Sequence, residues 1–154
     1  MVDFTIRNED YVARVRDSFG RQGFMASLNA TLSAVDPGRV EIQVPFETVL
    51  SQQHGYFHGG VIGAVADNAG GYSTFTLLAA SDSILTVEYK LNIVAPADGD
   101  TLIARGQVLR PGRTLTVSEA KVFVVRDGVE RLCAVMLGTF MTLPNTSDEP
   151  AQPR

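Results

Sequence analysis

Asp67 is a carboxylate in an apolar, glycine-flanked stretch. His54-Gly55-Tyr56-Phe57-His58-Gly59-Gly60 runs straight into Val61-Ile62-Gly63-Ala64-Val65-Ala66-Asp67-Asn68-Ala69-Gly70-Gly71. Burying a carboxylate costs several kcal/mol unless it is paired or hydrogen-bonded. Each glycine inside a helix costs roughly 1 kcal/mol against alanine. A segment that tolerates both points to a working carboxylate. On a helix the neighbours of Asp67 at three and four residues are Gly63, Ala64, Gly70 and Gly71, so the carboxylate stands in a shallow pit. A thin ligand or a second chain could enter it. Close helix packing, with Asp67 bonded to a hydroxyl, is the plain reading of the same spacing.

Gly59 and Gly60 supply a second group. At a helix start the backbone N–H groups are unpaired and the dipole is positive, and glycine lets a substrate oxygen approach the backbone. Such donors suit the oxyanion of acyl transfer, although a Gly-Gly pair also makes a simple tight turn. Gly59 and Asp67 are eight residues apart, roughly 12 Å along a helix. One carbonyl cannot touch both within one chain. If both act on it, a second copy brings its helix alongside in the opposite direction, which predicts a two-fold dimer with composite sites.

Other chemistries are poorly served. His54 and His58 are four apart but precede the helix, and Cys133 is distant, so zinc-ligand spacing is not met and no metal is expected. No Gly-x-Ser-x-Gly elbow exists for a Ser-His-Asp site. The net charge of −4, with no basic run, argues against nucleic acid as a partner. The lone cysteine fits a reducing, cytoplasmic setting. The residues from Met1 to Arg7 lack a secretory pattern, and no apolar run approaches a membrane span.

The elements that position these groups follow from periodicity. Val12, Val15 and Phe19 predict an amphipathic helix over about Glu9–Arg21. Phe24–Ala34 and Arg39–Pro45 read as strands around Asp36-Pro37-Gly38. The helix bearing Asp67 is expected to continue to about Ala79. Ile84–Val94 alternates, with Val87, Tyr89, Leu91 and Ile93 on one face and Thr86, Glu88, Lys90 and Asn92 on the other. Thr101–Arg110 and Thr114–Arg126 follow, and Asp127-Gly128 turns into a strand, Leu132–Leu137, that is apolar on both faces and expected to be buried. Helix, two strands, one long helix and four strands in meander order make a two-layer α+β design.

At these residues the chain resembles the PaaI-like acyl-CoA thioesterases of the hotdog-fold superfamily. Gly55-x-x-His58-Gly59-Gly60 followed by Asp67 carries the resemblance, supported by Thr86-Val87-Glu88-Tyr89-Lys90-Leu91 and Pro96-Ala97. It spans Phe24 to Leu143. It implies an α+β hotdog fold, one long central helix wrapped by a largely antiparallel sheet of about six strands. The division is then a helix and arm over 1–22, the hotdog domain over 23–143 and a disordered tail over 144–154. The implied activity is hydrolysis of an acyl-CoA thioester, short- to medium-chain or aryl-acetyl, by homodimers that often pair into homotetramers. CoA belongs to the substrate, so no separate cofactor is implied.

Carried over, Asp67 becomes the base that activates water, or the nucleophile. Gly59, with Gly60, donates N–H to the thioester oxygen from the other subunit. Thr86 matches a hydroxyl residue that positions the water, and His58 shapes the helix start. Gln52 stands where relatives commonly carry Asn, offering the same amide on a longer arm, with Gln53 as a substitute. Arg110, Arg113 and Lys90 are candidates for the CoA phosphates, although solvated strand and turn positions explain them equally. Tyr56, Phe57 and Tyr72 are candidate acyl lining, with core or interface packing as the default. Two other readings are an acyl-CoA-binding module without catalysis and a hydratase on the same fold; the chain lacks the basic DNA-binding segment and the His–carboxylate motif those would carry.

Overall fold

The long central helix, α3 (Gly59–Phe75), exists as a buried element because it is apolar on most of its circumference. Ile62, Val65, Ala66, Ala69, Tyr72 and Phe75 are all buried. A computed structural model describes residues 4–149 and lays α3 across one six-stranded sheet. The remaining α-helices are α1 (Tyr11–Gly20) and α2 (Gly23–Ser27), and a 3-10 turn spans Thr48–Leu50. The strands are β1 (Thr31–Asp36), β2 (Arg39–Pro45), β3 (Ser83–Ile93), β4 (Thr101–Arg110), β5 (Leu115–Arg126) and β6 (Val129–Leu143). All pairings are antiparallel, in the order β1-β2-β4-β5-β6-β3.

The expected meander holds for β4, β5 and β6 but not for β3. That strand leaves α3 at the far edge and pairs with β6, from Ser83 opposite Leu143 to Ile93 opposite Ala134. The chain then returns past the end of the sheet, with the Val94 N–H on Cys133 O (2.8 Å) and the Asp100 N–H on Val125 O (2.7 Å). Alternation identifies a strand; it carries no information about which neighbour the strand finds.

Three boundaries also differ from the periodicity. Phe24–Ser27, expected as strand, is helix α2, with Met25 and Leu28 buried at helical spacing and Phe24 59% exposed. Asn29, at φ +51°, ends this turn in the left-handed conformation asparagine tolerates. Helix α3 stops at Phe75 rather than Ala79, because the Thr76 hydroxyl bonds back to Ser73 O (2.7 Å) and accepts the Gly38 N–H (2.8 Å). Strand β6 is buried on one face only. Cys133, Ala134, Met136 and Phe140 face α3, whereas Leu132 and Leu137 lie exposed. The segment expected as a tail reaches back as far as described: Asp148 pairs with Arg21 (2.9 Å). Residues 150–154 lie outside the described part.

Helix and sheet meet at backbone range. A Cβ on Gly106 of β4 would stand 2.0 Å from Ala69 O, and one on Gly70 would stand 2.7 Å from Met136 Cε. Gly106→Ala is therefore expected to destabilise the fold by about 1–3 kcal/mol or more. Gly20→Ala, at a helical position with nothing within 4 Å, is expected to be neutral or stabilising by about 0.4–1 kcal/mol. Urea unfolding of the two variants checks the contrast.

Candidate active site

His58 begins the site by ending the loop before α3. Its Nδ1 accepts the Gly60 N–H (2.9 Å), its backbone N–H bonds Leu50 O (2.8 Å), and its carbonyl accepts from Val61 (3.0 Å) and Ile62 (3.2 Å). Accepting through Nδ1 puts the ring proton on Nε2. The cap consumes one of the two glycine donors. Gly60 is spent on His58, whereas the Gly59 N–H has no acceptor among the described residues. The expectation that both amides face a substrate oxygen therefore reduces to Gly59.

Phe57 fixes the loop from behind, buried and edge-to-face with Phe46 (5.1 Å between centroids). It belongs to the core, as the default reading had it. Gln52 sits in a tight turn, with its N–H on Tyr56 O (2.9 Å) and its side-chain carbonyl accepting the His54 N–H. Gly55 allows that turn with φ +80°. Tyr56 lies beside the His54 ring, 6.4 Å between centroids.

Asp67 lies two turns further along α3. Burial pushes its carboxyl above the usual carboxylate range, and one hydrogen bond, from Thr86 Oγ1 to Oδ1 (2.9 Å), opposes that shift. No cation pairs with it among the described residues. Strict alternation would have placed Thr86 opposite Tyr89, Leu91 and Ile93, and the structure corrects this. A bulge between Thr86 and Glu88 leaves Val87 as an extra residue, so Thr86 shares the α3 side with those three. Tyr89 and Leu91 pack where a Cβ on Gly63 would be, and Ile93 lies against Gly59.

A cavity of about 390 Å³ opens at Asp67. It runs between α3 and β3 past Asn68, Gly71, Phe140 and Leu85, and ends at Tyr72 with Ser18 of α1 and Gln22, which caps α2. Of the four small residues around Asp67, only Gly71 lines it. Gly63 and Gly70 admit side chains from the sheet instead. Asn68, which the sequence did not single out, donates to Ala64 O (3.2 Å) and leaves its buried side-chain oxygen without a donor. Ser18, Gln22, Arg21 and Asp148 were also missed, since no local pattern signals contacts across 50 or more residues. Lys90, Arg110 and Arg113 are exposed and outside this cavity; Arg113 lines a separate hollow of about 230 Å³ with Leu77 and Pro111. Among the described residues no group of three His, Cys, Asp or Glu side chains could hold a metal, and no helix is long and apolar enough to cross a membrane.

The fold and the helix-borne carboxylate define the class, and comparison with known proteins names it. Residues 54–130 match the family described as the Thioesterase superfamily, and the chain belongs to it. A thioesterase family protein from Silicibacter pomeroyi is 46% identical and superposes with a TM-score of 0.86, covering 87% of this chain and 98% of that one. The PaaI protein from the phenylacetic acid degradation operon of E. coli is 17% identical, with a TM-score of 0.79 over 92% of this chain and 99% of its own. That likeness shows the hotdog fold alone. A 1,4-dihydroxy-2-naphthoyl-CoA hydrolase from Listeria monocytogenes is 21% identical over 113 residues, 73% of this chain and 89% of that one.

Because Asp67 takes up a proton more readily in the folded chain than in the unfolded one, its ionisation opposes folding as pH rises through its raised folded value. Below the ordinary aspartate value of 3.8 it is protonated in both states and opposes nothing. Asp67→Asn is expected to raise the melting temperature at pH 7, with the gain shrinking as pH falls towards 4. Thermal melts of both proteins across that range measure it.

Proposed function

We propose that this protein hydrolyses an acyl-CoA thioester, with a short- to medium-chain or aryl-acetyl group, by water activated on Asp67. The observation that carries the reading is the Asp67 carboxylate, raised by burial, held by Thr86 and open to a cavity on a thioesterase fold. A base with a raised pKa is a better proton acceptor from water. The hydroxyl of Thr86 fixes one carboxylate oxygen, leaving the other to take the proton. As the hydroxide equivalent attacks, the thioester oxygen becomes negative and needs a donor, and the unspent Gly59 N–H at the positive end of α3 suits it.

That donor belongs to a second protomer in this reading. Gly59 and Asp67 are two turns apart on one helix, and the edge of β3 away from β6 has no partner among the described residues. Leu85, Val87, Tyr89 and Ile93 are exposed along it. A long apolar edge strand is a template for pairing. An antiparallel pairing of β3 with its own copy, centred between Tyr89 and Lys90, sets Thr86 opposite the partner's Ile93. Thr86 holds Asp67 and Ile93 lies against Gly59. One two-fold axis thus brings Asp67 towards the partner's Gly59 twice, giving two sites per homodimer. Pairing of such dimers into a homotetramer would cover the exposed Leu132 and Leu137 on the outer face. The Coulombic hold on CoA is assigned to Arg110, Arg113 and Lys90, which are free of ion pairs among the described residues.

A hydrolysis screen over acyl-CoAs tests the reading. Asp67→Ala is expected to lower kcat on the best substrate by about 10²–10⁴-fold. Full retained rate would overturn it, and tight acyl-CoA binding without turnover would make the chain a binding module. Thr86→Ala removes the bond that favours ionised Asp67. The acid limb of its pH–rate profile should therefore move to higher pH, because the base must be ionised to act.

A further inference from the structure

The Asp67 cavity is chemically asymmetric. Between its ends the lining is mainly apolar, from Gly71, Phe75, Ile84, Leu85 and Phe140, with Asn68 and Ser83 as its polar members. At the far end Tyr72 is 7% exposed and held edge-to-face by Phe19 (5.7 Å) and Phe75 (5.9 Å), which fixes where its hydroxyl points. Gln22 Nε2 donates to the Tyr72 hydroxyl (3.0 Å), and the Ser18 and Tyr72 hydroxyls are 3.2 Å apart. Two hydroxyls share one bond between them, so whichever donates, one hydroxyl proton is left over. The Gln22 side-chain carbonyl also has no donor among the described residues. The end of the cavity therefore offers donors, the spare hydroxyl proton and the second Gln22 N–H, together with acceptors on the hydroxyl and amide oxygens.

Its charge is already balanced. Among the described residues Arg21 is the only basic one in the lining, and it is paired with Asp148 (2.9 Å) and with Asp17. Asp67 adds a negative group to the same cavity. A terminal carboxylate on a ligand would meet no unpaired cation. Tyr72 follows Asp67 by five residues, about 7.5 Å along the helix axis. An extended octanoyl chain, with C–C bonds near 1.5 Å, covers roughly 9 Å.

We propose that Tyr72, Ser18 and Gln22 are specificity-determining residues that select acyl groups bearing a neutral oxygen function, a hydroxyl or a carbonyl, at the end remote from the thioester. The assignment rests on the thioesterase reading of Asp67. It makes α1 part of the substrate site, since Ser18 lies on it and Gln22 follows it.

The test compares kcat/KM for octanoyl-CoA, ω-hydroxyoctanoyl-CoA and suberyl-CoA, whose remote end is a carboxylate. The full-length wild type is measured beside Tyr72→Phe, Ser18→Ala, the double variant and Asp67→Asn. The wild type is expected to prefer the hydroxylated chain over octanoyl by about tenfold and to disfavour suberyl. That ratio should fall in each single variant and vanish in the double. Each ratio is internal to one protein preparation, so partial misfolding cancels, and Tyr72→Phe keeps the ring between Phe19 and Phe75. A wild-type ratio near unity, a ratio unchanged in the variants, or a preference for suberyl would overturn the assignment. If octanoyl-CoA is still cleaved in an Asp67-dependent manner, the hydrolase reading survives that result. Turnover of none of the three esters by a wild type that cleaves another acyl-CoA would overturn the assignment alone, and turnover of no acyl-CoA at all would overturn both.

Discussion

The depth at which α3 lies against the sheet governs the chemistry of this protein. Gly106 meets the Ala69 carbonyl at a separation no side chain could share, and Gly70 admits Met136 and Phe140. The helix is thereby drawn into the sheet, and Asp67 is drawn with it into a partly desolvated position. Among the described residues only Thr86 hydrogen-bonds the carboxylate, because the bulge at Val87 turns that hydroxyl towards α3. A looser contact would leave Asp67 in water with an ordinary affinity for protons. A tighter one would exclude the cavity that opens beside Gly71.

The same helix sets a complementary constraint at its other end. The cap from His58 spends the Gly60 amide and leaves Gly59 unsatisfied, at a point two turns from the carboxylate. A single α-helix cannot aim its first amide and a side chain eight residues on at one small group. In the homodimer proposed above, two-fold pairing along β3 would resolve that separation without moving either group. The free edge, the exposed apolar residues along it and the incomplete half-site are then aspects of one arrangement.

Much of this was legible in the residues. The apolar helix with one carboxylate, the hairpin at Asp127-Gly128 and the limits of β4 follow from period and turn chemistry, and Asp127 and Gly128 take the positive φ such a turn requires. What was illegible depends on contacts distant in sequence. Period-two alternation in β3 is blind to the bulge at Val87, so it put Thr86 on the wrong face. Nothing local says that β3 pairs with β6 or that Ser18 and Gln22 close a cavity begun by Asp67. The resemblance brought Thr86 and Asp67 into one site where the residues alone separated them.

The composite site is tested most directly by mixing two inactive proteins. Asp67→Ala removes the base. Gly59→Pro removes the Gly59 N–H at the first helical position, where proline is well tolerated, and His58 already has the extended backbone (ψ 139°) that precedes proline comfortably. Each variant alone should be inactive towards acyl-CoA. Unfolded together and refolded at equal concentration, half of the two-fold dimers are mixed, and each mixed dimer contains one intact site. About a quarter of wild-type activity should therefore return. A mixture as inactive as its components would contradict a site built from the carboxylate of one subunit and the amide of the other.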